Sequence, residues 1–276
     1  MNSKTDSLFR LSGPSAADLD SFHNDGYIVY PDVLTEAARE GLIEEITQLD
    51  PIREYIEALN SAVGVTEQYA IRNWDDRGPC GHGLIDDPFI TALLQSTIGI
   101  AYHYCHSALR IAPRGTEHVI YHQDHHHWKH HNLVNIAERD KYYVQVLYYP
   151  LGFAPGDRSL KVIPGSHRVA PTEEATAERM LAGAYDAELG RKLREKPLSL
   201  PPGSMVYINA RIFHAVEPKP LDSPTPYRIF NIDIFKEIGP PHRYTQPIRD
   251  DWLEGASPKR LQLFTREHFT EGCWES

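Results

Sequence analysis

The chain has 276 residues, with 28 Lys and Arg against 38 Asp and Glu, so its formal net charge is −10 and its sequence pI is about 5.8. This acidity argues against nucleic acid or an anionic membrane as the main partner. No apolar run approaches the roughly 18 residues of a membrane span, and the polar N-terminus does not resemble a signal peptide.

The three cysteines, Cys80, Cys105 and Cys273, lie at unrelated spacings. An odd number without a repeated spacing does not indicate a disulfide framework, and the chain is therefore expected in a reducing compartment. We expect a cytoplasmic protein in which Cys105 is a packed thiol.

Helix signals dominate the chain from about residue 15 to residue 100. Ser15 can cap a helix, and Thr35 precedes apolar residues with a helical period. Asp50 and Asp87 each precede a proline, which is favoured at the first position of a helix. We therefore predict helices after each of these four residues.

From about residue 100 the sequence changes to short apolar runs separated by Pro, Gly and Asp. A charged insert from Thr172 to about Lys196 interrupts these runs and has a helical composition. Short strands behind a helical prefix predict a mainly β fold with flanking helices, built on a double-stranded β-helix core of the jelly-roll or cupin type. The predicted strands are Ala108–Ala112, Glu117–Tyr121, Tyr142–Tyr149, Leu160–Ile163, Ser204–Ile208 and Tyr227–Phe235.

Neither an internal repeat nor a low-complexity linker divides the chain, so we expect one domain over residues 1–276. Its parts would be a helical N-terminal part at about 15–100, a jelly-roll core at about 101–236 and a C-terminal extension at 237–276.

The most informative motif is His122-Gln123-Asp124 together with the distant His214. A His-x-Asp followed far downstream by one His is the pattern of the facial triad of two histidines and one carboxylate, which holds Fe(II) and leaves positions open. In a chain with 15 His, His-x-Asp alone is a weak signal. Arg228 lies 14 residues after His214, and this spacing strengthens the interpretation.

Six sequence segments together resemble the phytanoyl-CoA dioxygenase family of iron- and 2-oxoglutarate-dependent oxygenases. The resemblance covers roughly residues 15 to 236, most of the chain. The segments are residues 18–30, His-Gln-Asp at 122–124, Ile-Pro-Gly-Ser-His at 163–167, Pro-Gly-Ser-Met-Val-Tyr at 202–207, His214, and Tyr-Arg-Ile-Phe-Asn at 227–231.

The resemblance implies an enzyme that binds Fe(II), 2-oxoglutarate and O₂ and oxidises a C–H bond of a small molecule, with release of succinate and CO₂. His122, Asp124 and His214 would hold the iron, and Arg228 would anchor the distal carboxylate of 2-oxoglutarate. Related halogenases replace the carboxylate with Gly or Ala. The carboxylate of Asp124 therefore favours a hydroxylase over a halogenase.

The chain departs from the family pattern at two positions. Ser159 stands where the family often has Gly, and Val216 stands where some members place Ser or Thr near the co-substrate. The second departure leaves part of the co-substrate site unassigned.

Further candidate residues are weaker, because each also has a purely structural interpretation as a packed or solvated side chain. On the strand at 142–149, alternation places Tyr143, Gln145 and Leu147 on one face, and the family favours that face as the inner one. The candidates for the co-substrate are Trp128, Gln145 and Arg110, and those for the substrate are Arg72, His126 and Tyr143.

A histidine-rich segment follows Asp124 directly. Six of the 15 His lie in the ten residues from His122 to His131. Imidazole is a common metal ligand, so metal storage is one interpretation. We expect the segment from His125 to His131 to act instead as a gate over the mouth of the site.

Two other functional classes stay open at this point. A non-redox metalloenzyme of the cupin type would not need Arg228, and a non-catalytic metal-binding protein would show no turnover. The substrate is not identified, although the negative charge argues mildly against a CoA thioester. We expect a monomer or homodimer without nucleic-acid or membrane partners.

Overall fold

The computed structural model describes residues 7–61, 66–74, 77–124, 143–153, 157, 160–170, 172–237 and 249–264. Within these residues, the helices are α1 (Ala16–Asp25), α2 (Glu36–Gln48), α3 (Asp50–Ser61), α4 (Pro79–Asp86), α5 (Pro88–Thr97), α6 (Ala177–Leu181), α7 (Asp186–Leu189), α8 (Asp250–Leu253) and α9 (Pro258–Leu263). The strands are β1 (Tyr27–Tyr30), β2 (Tyr69–Arg72), β3 (Tyr102–Pro113), β4 (Val119–His122), β5 (Tyr143–Tyr149), β6 (Leu160–Val162), β7 (Lys196–Pro197), β8 (Ser204–Asn209), β9 (His214–Val216) and β10 (Tyr227–Glu237).

The four predicted helix starts are confirmed. Ser15 forms a capping box with Asp18 at the start of α1. The side chain of Thr35 accepts a hydrogen bond from the backbone of α2, and that of Asp87 does the same for α5. These caps satisfy backbone N–H groups that have no partner inside the helix.

Two short strands that the sequence signals did not predict, β1 and β2, lie within the helical N-terminal part at about 15–100. β1 pairs with β8 along its whole length, from Tyr27 opposite Ile208 to Tyr30 opposite Met205. β2 pairs with β3 at the other edge of the same sheet. Both strands are four residues long, and their partners are distant in sequence.

Two antiparallel sheets form the β structure, and the predicted mainly β jelly-roll core is confirmed. One sheet has the order β1-β8-β5-β10-β3-β2 and the other has the order β4-β9-β6-β7 among the described strands. Non-consecutive neighbours show that the chain crosses between strands that are far apart in sequence. The site residues on β4 and β9 therefore meet only through the fold.

The six-stranded sheet has a separate apolar cluster on each face. On β5, Val146 and Tyr148 pack with the N-terminal helices, whereas Leu147 and Tyr149 pack with residues of the smaller sheet such as Leu160. Successive residues of a strand point to opposite faces. The face that carries Leu147 and Tyr149 is thus the inner face, between the sheets.

A buried ion pair joins the segment before α4 to β10. Arg77 Nη2 lies 2.9 Å from Asp233 Oδ1, and both side chains are fully buried. The same nitrogen donates to the hydroxyl of Tyr104 at 2.7 Å. Three residues before Arg77, Trp74 Nε1 donates to Asn231 Oδ1 at 2.9 Å.

The Pro-Gly-Ser-His segment at 164–167 is a structural turn that holds the residue before His214. Gly165 has φ +86°, a value that favours glycine. Ser166 Oγ accepts a hydrogen bond of 2.8 Å from the backbone of Phe213, and the backbone of Ile163 donates to Phe213 O at 2.9 Å. These bonds fix the start of β9.

The insert at 172–196 is only partly helical, since α6 and α7 are short and separated by turns. Met180 and Leu193 anchor it in a small apolar cluster with Phe213. Of the described residues, none form a helix that is long and apolar enough to cross a membrane.

Candidate metal centre and active site

His122, Asp124 and His214 converge at one end of the smaller sheet. His122 ends β4, and its Cα is the direct cross-strand partner of His214, which begins β9. Nε2 of His122 lies 3.7 Å from Oδ1 of Asp124, and Nε2 of His214 lies 3.3 Å from Oδ2. One ligand atom from each residue falls within 4.8 Å of the others. Such a donor set fits a divalent metal ion.

Both imidazoles are oriented by the same local contact. Nδ1 of His122 donates to the carbonyl of Ile120 at 2.8 Å, and Nδ1 of His214 donates to the carbonyl of Ile212 at 3.1 Å. A hydrogen bond at Nδ1 fixes the tautomer, so the lone pair of each ring lies on Nε2. These nitrogens face Asp124.

The pKa of His214 is lowered from its ordinary value. Burial is the main cause, and the neighbouring His122 lowers it further, whereas Asp124 opposes the shift. A metal ion needs the neutral imidazole. The lowered pKa therefore favours the protonation state that can bind a metal.

Asp124 lies two residues beyond the end of β4, and three contacts hold its segment. Its backbone N–H donates to Ala210 O at 3.1 Å. The side-chain amide of Gln123 donates to the carbonyl of Arg211. Nε2 of Gln145 on β5 donates to Asp124 Oδ2 at 2.8 Å, which links the larger sheet to the triad.

A cavity of about 120 Å³ opens beside the three residues, between the two sheets. Its polar end is formed by the triad and Gln145, and its walls are apolar. Tyr149 stacks on Phe230 with ring centroids 5.6 Å apart. The apolar wall residues are Val119, Leu147, Tyr149, Leu160, Val216, Phe230 and Ile232, and the polar side chains of Gln68 and Arg110 also line the cavity.

Arg228 lies on β10 two residues before Phe230 and therefore faces the same side of the sheet. It is only 2% exposed. Nη2 donates to the carbonyl of Glu217 at 2.8 Å, and the guanidinium lies 5.2 Å from the ring centre of Phe153. Burial lowers its pKa, and Tyr149 and Asp157 oppose the shift. Arg228 is thus a buried cation behind the cavity wall.

The loop between β9 and β10 is held by a second buried cation, Lys219, which the sequence did not suggest. Its ammonium contacts Asp157 Oδ2 at 2.5 Å, Ser223 Oγ at 2.6 Å and Thr225 Oγ1 at 2.7 Å. These contacts order the chain between His214 and Arg228.

The structure brings some of the other predicted residues to the site. Gln145 contacts Asp124, and Arg110 lines the cavity. Arg72 is exposed and lies on β2 opposite Ala108 of β3. The backbone of Tyr143 begins β5, but its side chain lies outside the described residues.

Trp128, His126 and the whole predicted gate from His125 to His131 lie outside the described residues. Sequence reasoning also missed Tyr149 and Phe230 as wall residues. The alternation that placed Leu147 on the inner face extends to Tyr149 and was the available signal. For Phe230 the available signal was its position two residues after Arg228, which strand alternation places on the same face.

Comparisons with known proteins agree with this arrangement. The family model described as phytanoyl-CoA dioxygenase (PhyH) matches residues 22–219. No curated protein sequence matches the chain significantly.

Among solved structures, the fold is similar to that of the non-heme alpha-ketoglutarate-dependent carbocyclase SnoK from nogalamycin biosynthesis, with a TM-score of 0.59 and 16% identity over 89% of this chain and 92% of that chain. EctD from S. alaskensis with 2-oxoglutarate and 5-hydroxyectoine matches with a TM-score of 0.56 and 16% identity, over 86% of this chain and 79% of that chain. The non-heme alpha-ketoglutarate-dependent epimerase SnoN matches with a TM-score of 0.53 and 13% identity, over 80% and 82% of the two chains. At these sequence identities, the similarity shows only a shared fold.

Proposed function

The chain belongs to the phytanoyl-CoA dioxygenase family, and we propose that it is an Fe(II)- and 2-oxoglutarate-dependent dioxygenase that hydroxylates a C–H bond of a small molecule. The observation that carries the proposal is the convergence of His122, Asp124 and His214 at the end of the cavity.

The donor set agrees with iron rather than with a closed structural metal site. Two imidazole nitrogens and one carboxylate suit Fe(II), and three protein ligands leave positions for other molecules. When bound, Fe(II) supplies the activation of O₂ and 2-oxoglutarate supplies two electrons, so that one oxygen atom enters succinate and the other enters the substrate. The protein contributes binding, orientation and exclusion of water.

Arg228 would hold the distal carboxylate of 2-oxoglutarate. A buried guanidinium forms charge-assisted hydrogen bonds to a carboxylate that are about twice as strong as neutral ones. The apolar rings of Tyr149 and Phe230 lie on the same inner face and limit the access of water to that contact. Charge interactions are stronger where water is excluded.

Gln145 supports the proposal in a second way. Its amide donates to the Oδ2 atom of Asp124, which leaves the other oxygen of the carboxylate available to a metal ion. Residues of this kind around a metal ligand commonly set its orientation.

The reaction type, hydroxylation, is a more specific proposal than the enzyme class. The names of similar structures include a carbocyclase and an epimerase, so the fold alone does not choose the reaction. Asp124 favours hydroxylation over halogenation, because a protein carboxylate occupies the position that a halide would need.

Anaerobic equilibrium dialysis with Fe(II) and 2-oxoglutarate tests the proposal without knowledge of the substrate. We expect one iron per chain, and 2-oxoglutarate retained only when iron is present. Alanine at His122, Asp124 or His214 should abolish iron binding and the retention of 2-oxoglutarate. His118→Ala, at an exposed position outside the triad, should leave both unchanged.

The alternatives give different results. A non-redox metalloenzyme would bind the metal but retain no 2-oxoglutarate. A metal-sequestering protein would keep several metal equivalents in the triad variants. Either result would overturn the proposal.

A further inference from the structure

Arg110 is a cation that lines the candidate active site. It lies on β3 opposite Phe230 of β10 and opposite Ala70 of β2. Residues that are direct partners on neighbouring strands point to the same face. Phe230 and Arg110 both line the cavity, in agreement with this register.

The charge of Arg110 lacks a dedicated partner in the described part of the protein. The side chain is half-buried, and its five N–H donors make no hydrogen bond to a described residue. Burial lowers the pKa of Arg110, Asp124 opposes the shift, and Arg72 adds to it. A guanidinium does not lose its proton, so the charge must be balanced by an anion or by water.

Asp124 is not that anion once a metal is bound, because its carboxylate is then a ligand. Divalent iron, Asp124, Arg228 and doubly charged 2-oxoglutarate balance one another without Arg110. Among the described residues, the positive charge of Arg110 is then left without a balancing anion, and Arg110 lines the cavity together with the triad.

A second guanidinium lies near Arg110. Arg72 lies opposite Ala108, two residues from Arg110 on the same face of the sheet. Its like charge lowers the pKa of Arg110, and an anion bound by Arg110 would offset this repulsion.

Arg110 and Arg228 have different surroundings, which separates their roles. Arg228 contacts Glu217 and Phe153 and interacts with Tyr149. Arg110 interacts with Asp124 and Arg72. Arg110 lines the cavity together with the triad, whereas Arg228 is buried beside Glu217 and Phe153.

We propose that Arg110 binds a carboxylate of the substrate, and that the substrate is therefore a small organic acid. This inference rests on the proposed function and adds the substrate class to it. A carboxylate can accept two parallel hydrogen bonds from a guanidinium, which would orient the rest of the acid toward the triad.

The test uses the full chain loaded with Co(II) in place of Fe(II) and saturated with 2-oxoglutarate, so that no turnover occurs. Calorimetry measures the binding of matched acids and primary amides: propionate with propionamide, hexanoate with hexanamide, and benzoate with benzamide. We expect at least one acid to bind roughly tenfold or more tightly than its amide, since a charged hydrogen-bond pair is lost in the amide.

Three variants complete the experiment. Arg110→Gln should remove the preference for the acid. Arg110→Lys should keep part of this preference, because lysine retains the positive charge but lacks the paired, coplanar N–H donors of a guanidinium. Arg53→Gln removes a positive charge from the surface of α3 and should keep the full preference. The dissociation constant of 2-oxoglutarate is measured on each variant first.

The outcomes separate this inference from the function on which it rests. Failure of the wild type to bind 2-oxoglutarate with the metal contradicts the proposed function. Normal binding of 2-oxoglutarate, but no acid that binds more tightly than its amide, overturns the inference alone. The inference is also overturned if Arg110→Gln weakens 2-oxoglutarate as much as it weakens the acid, because Arg110 would then hold the co-substrate.

Discussion

The side-chain amide of Gln145 donates a hydrogen bond of 2.8 Å to Asp124 Oδ2, the oxygen that also lies 3.3 Å from Nε2 of His214. Gln145 is 3% exposed and lies on the larger sheet, whereas the three triad residues belong to the smaller sheet or its edge. The contact therefore couples the orientation of a candidate metal ligand to the packing of the two sheets.

Replacing Gln145 should weaken metal binding without removing a ligand. We expect Gln145→Leu to raise the dissociation constant for Co(II) by about 10- to 100-fold, the usual effect of losing a residue that orients a metal ligand. Titration followed by the visible spectrum of Co(II) measures it. Gln95→Leu makes the same exchange at an exposed position of α5, and it should leave the constant unchanged. An unchanged constant in Gln145→Leu would mean that the hydrogen bond does not orient Asp124.

Arg228 should set the affinity for 2-oxoglutarate. Loss of one partner of a buried charge pair costs about 3–5 kcal/mol, so the apparent KM for 2-oxoglutarate should rise by roughly two to three orders of magnitude in Arg228→Gln. Succinate release at varied 2-oxoglutarate gives this KM, and the surface variant Arg53→Gln is the matched control. A normal KM in Arg228→Gln would mean that another residue binds the distal carboxylate of 2-oxoglutarate, and Arg110 would be the next candidate.

The triad could be predicted from the sequence because residue types and their spacing define the motif. His-x-Asp, a distant His and an Arg identify one another, and the structure brings His122, Asp124 and His214 together. The capped helices could also be predicted, since each cap is a local interaction between a side chain and the next turn.

Features that depend on pairing between distant segments could not be predicted in the same way. β1 has only four residues, and it forms a strand because β8 offers it a partner. The contact from Gln145 to Asp124 depends on the register of β5 with β10, and the position of Phe230 depends on the register of β10 with β3. The burial of Lys219, whose ammonium contacts three side-chain oxygens, likewise depends on how its loop folds.

The stability of the protein should fall with acid because of His167. This ring is fully buried beside Gly26, its Nε2 lies 3.2 Å from the carbonyl of His23, and burial lowers its pKa to about 3. The unfolded chain takes up the proton near the ordinary value of 6.5, whereas the folded protein does not until about pH 3. Stability from this group is therefore fully present above pH 6.5 and decreases as the pH falls toward 3, by about 1.4 kcal/mol per pH unit.

Urea unfolding at pH 7.5 and pH 5 measures this effect. The difference between the two free energies of unfolding should be smaller in His167→Gln than in the wild type, because the substituted side chain does not titrate. His118→Gln, at an exposed position, should behave as the wild type does. Equal differences in all three proteins would show that His167 does not contribute to acid unfolding.

The Arg77–Asp233 pair should be costly to break. Both side chains are fully buried, so Asp233→Asn leaves an uncompensated cation, and we expect a loss of about 3–5 kcal/mol in the free energy of unfolding. Glu174→Gln breaks the exposed pair with Arg179, and it should change the urea midpoint little. Comparable midpoints for the two variants would contradict the importance assigned to the buried pair.

The most direct test of the central claim follows the fate of O₂. The full chain is loaded with Fe(II), given 2-oxoglutarate and isotopically labelled O₂, and the succinate is analysed by mass spectrometry, with Asp124→Ala treated in parallel. The account predicts that the wild type forms succinate carrying one labelled oxygen atom and that Asp124→Ala forms none above the level of iron alone. Unlabelled succinate, or equal formation by the two proteins, would contradict it.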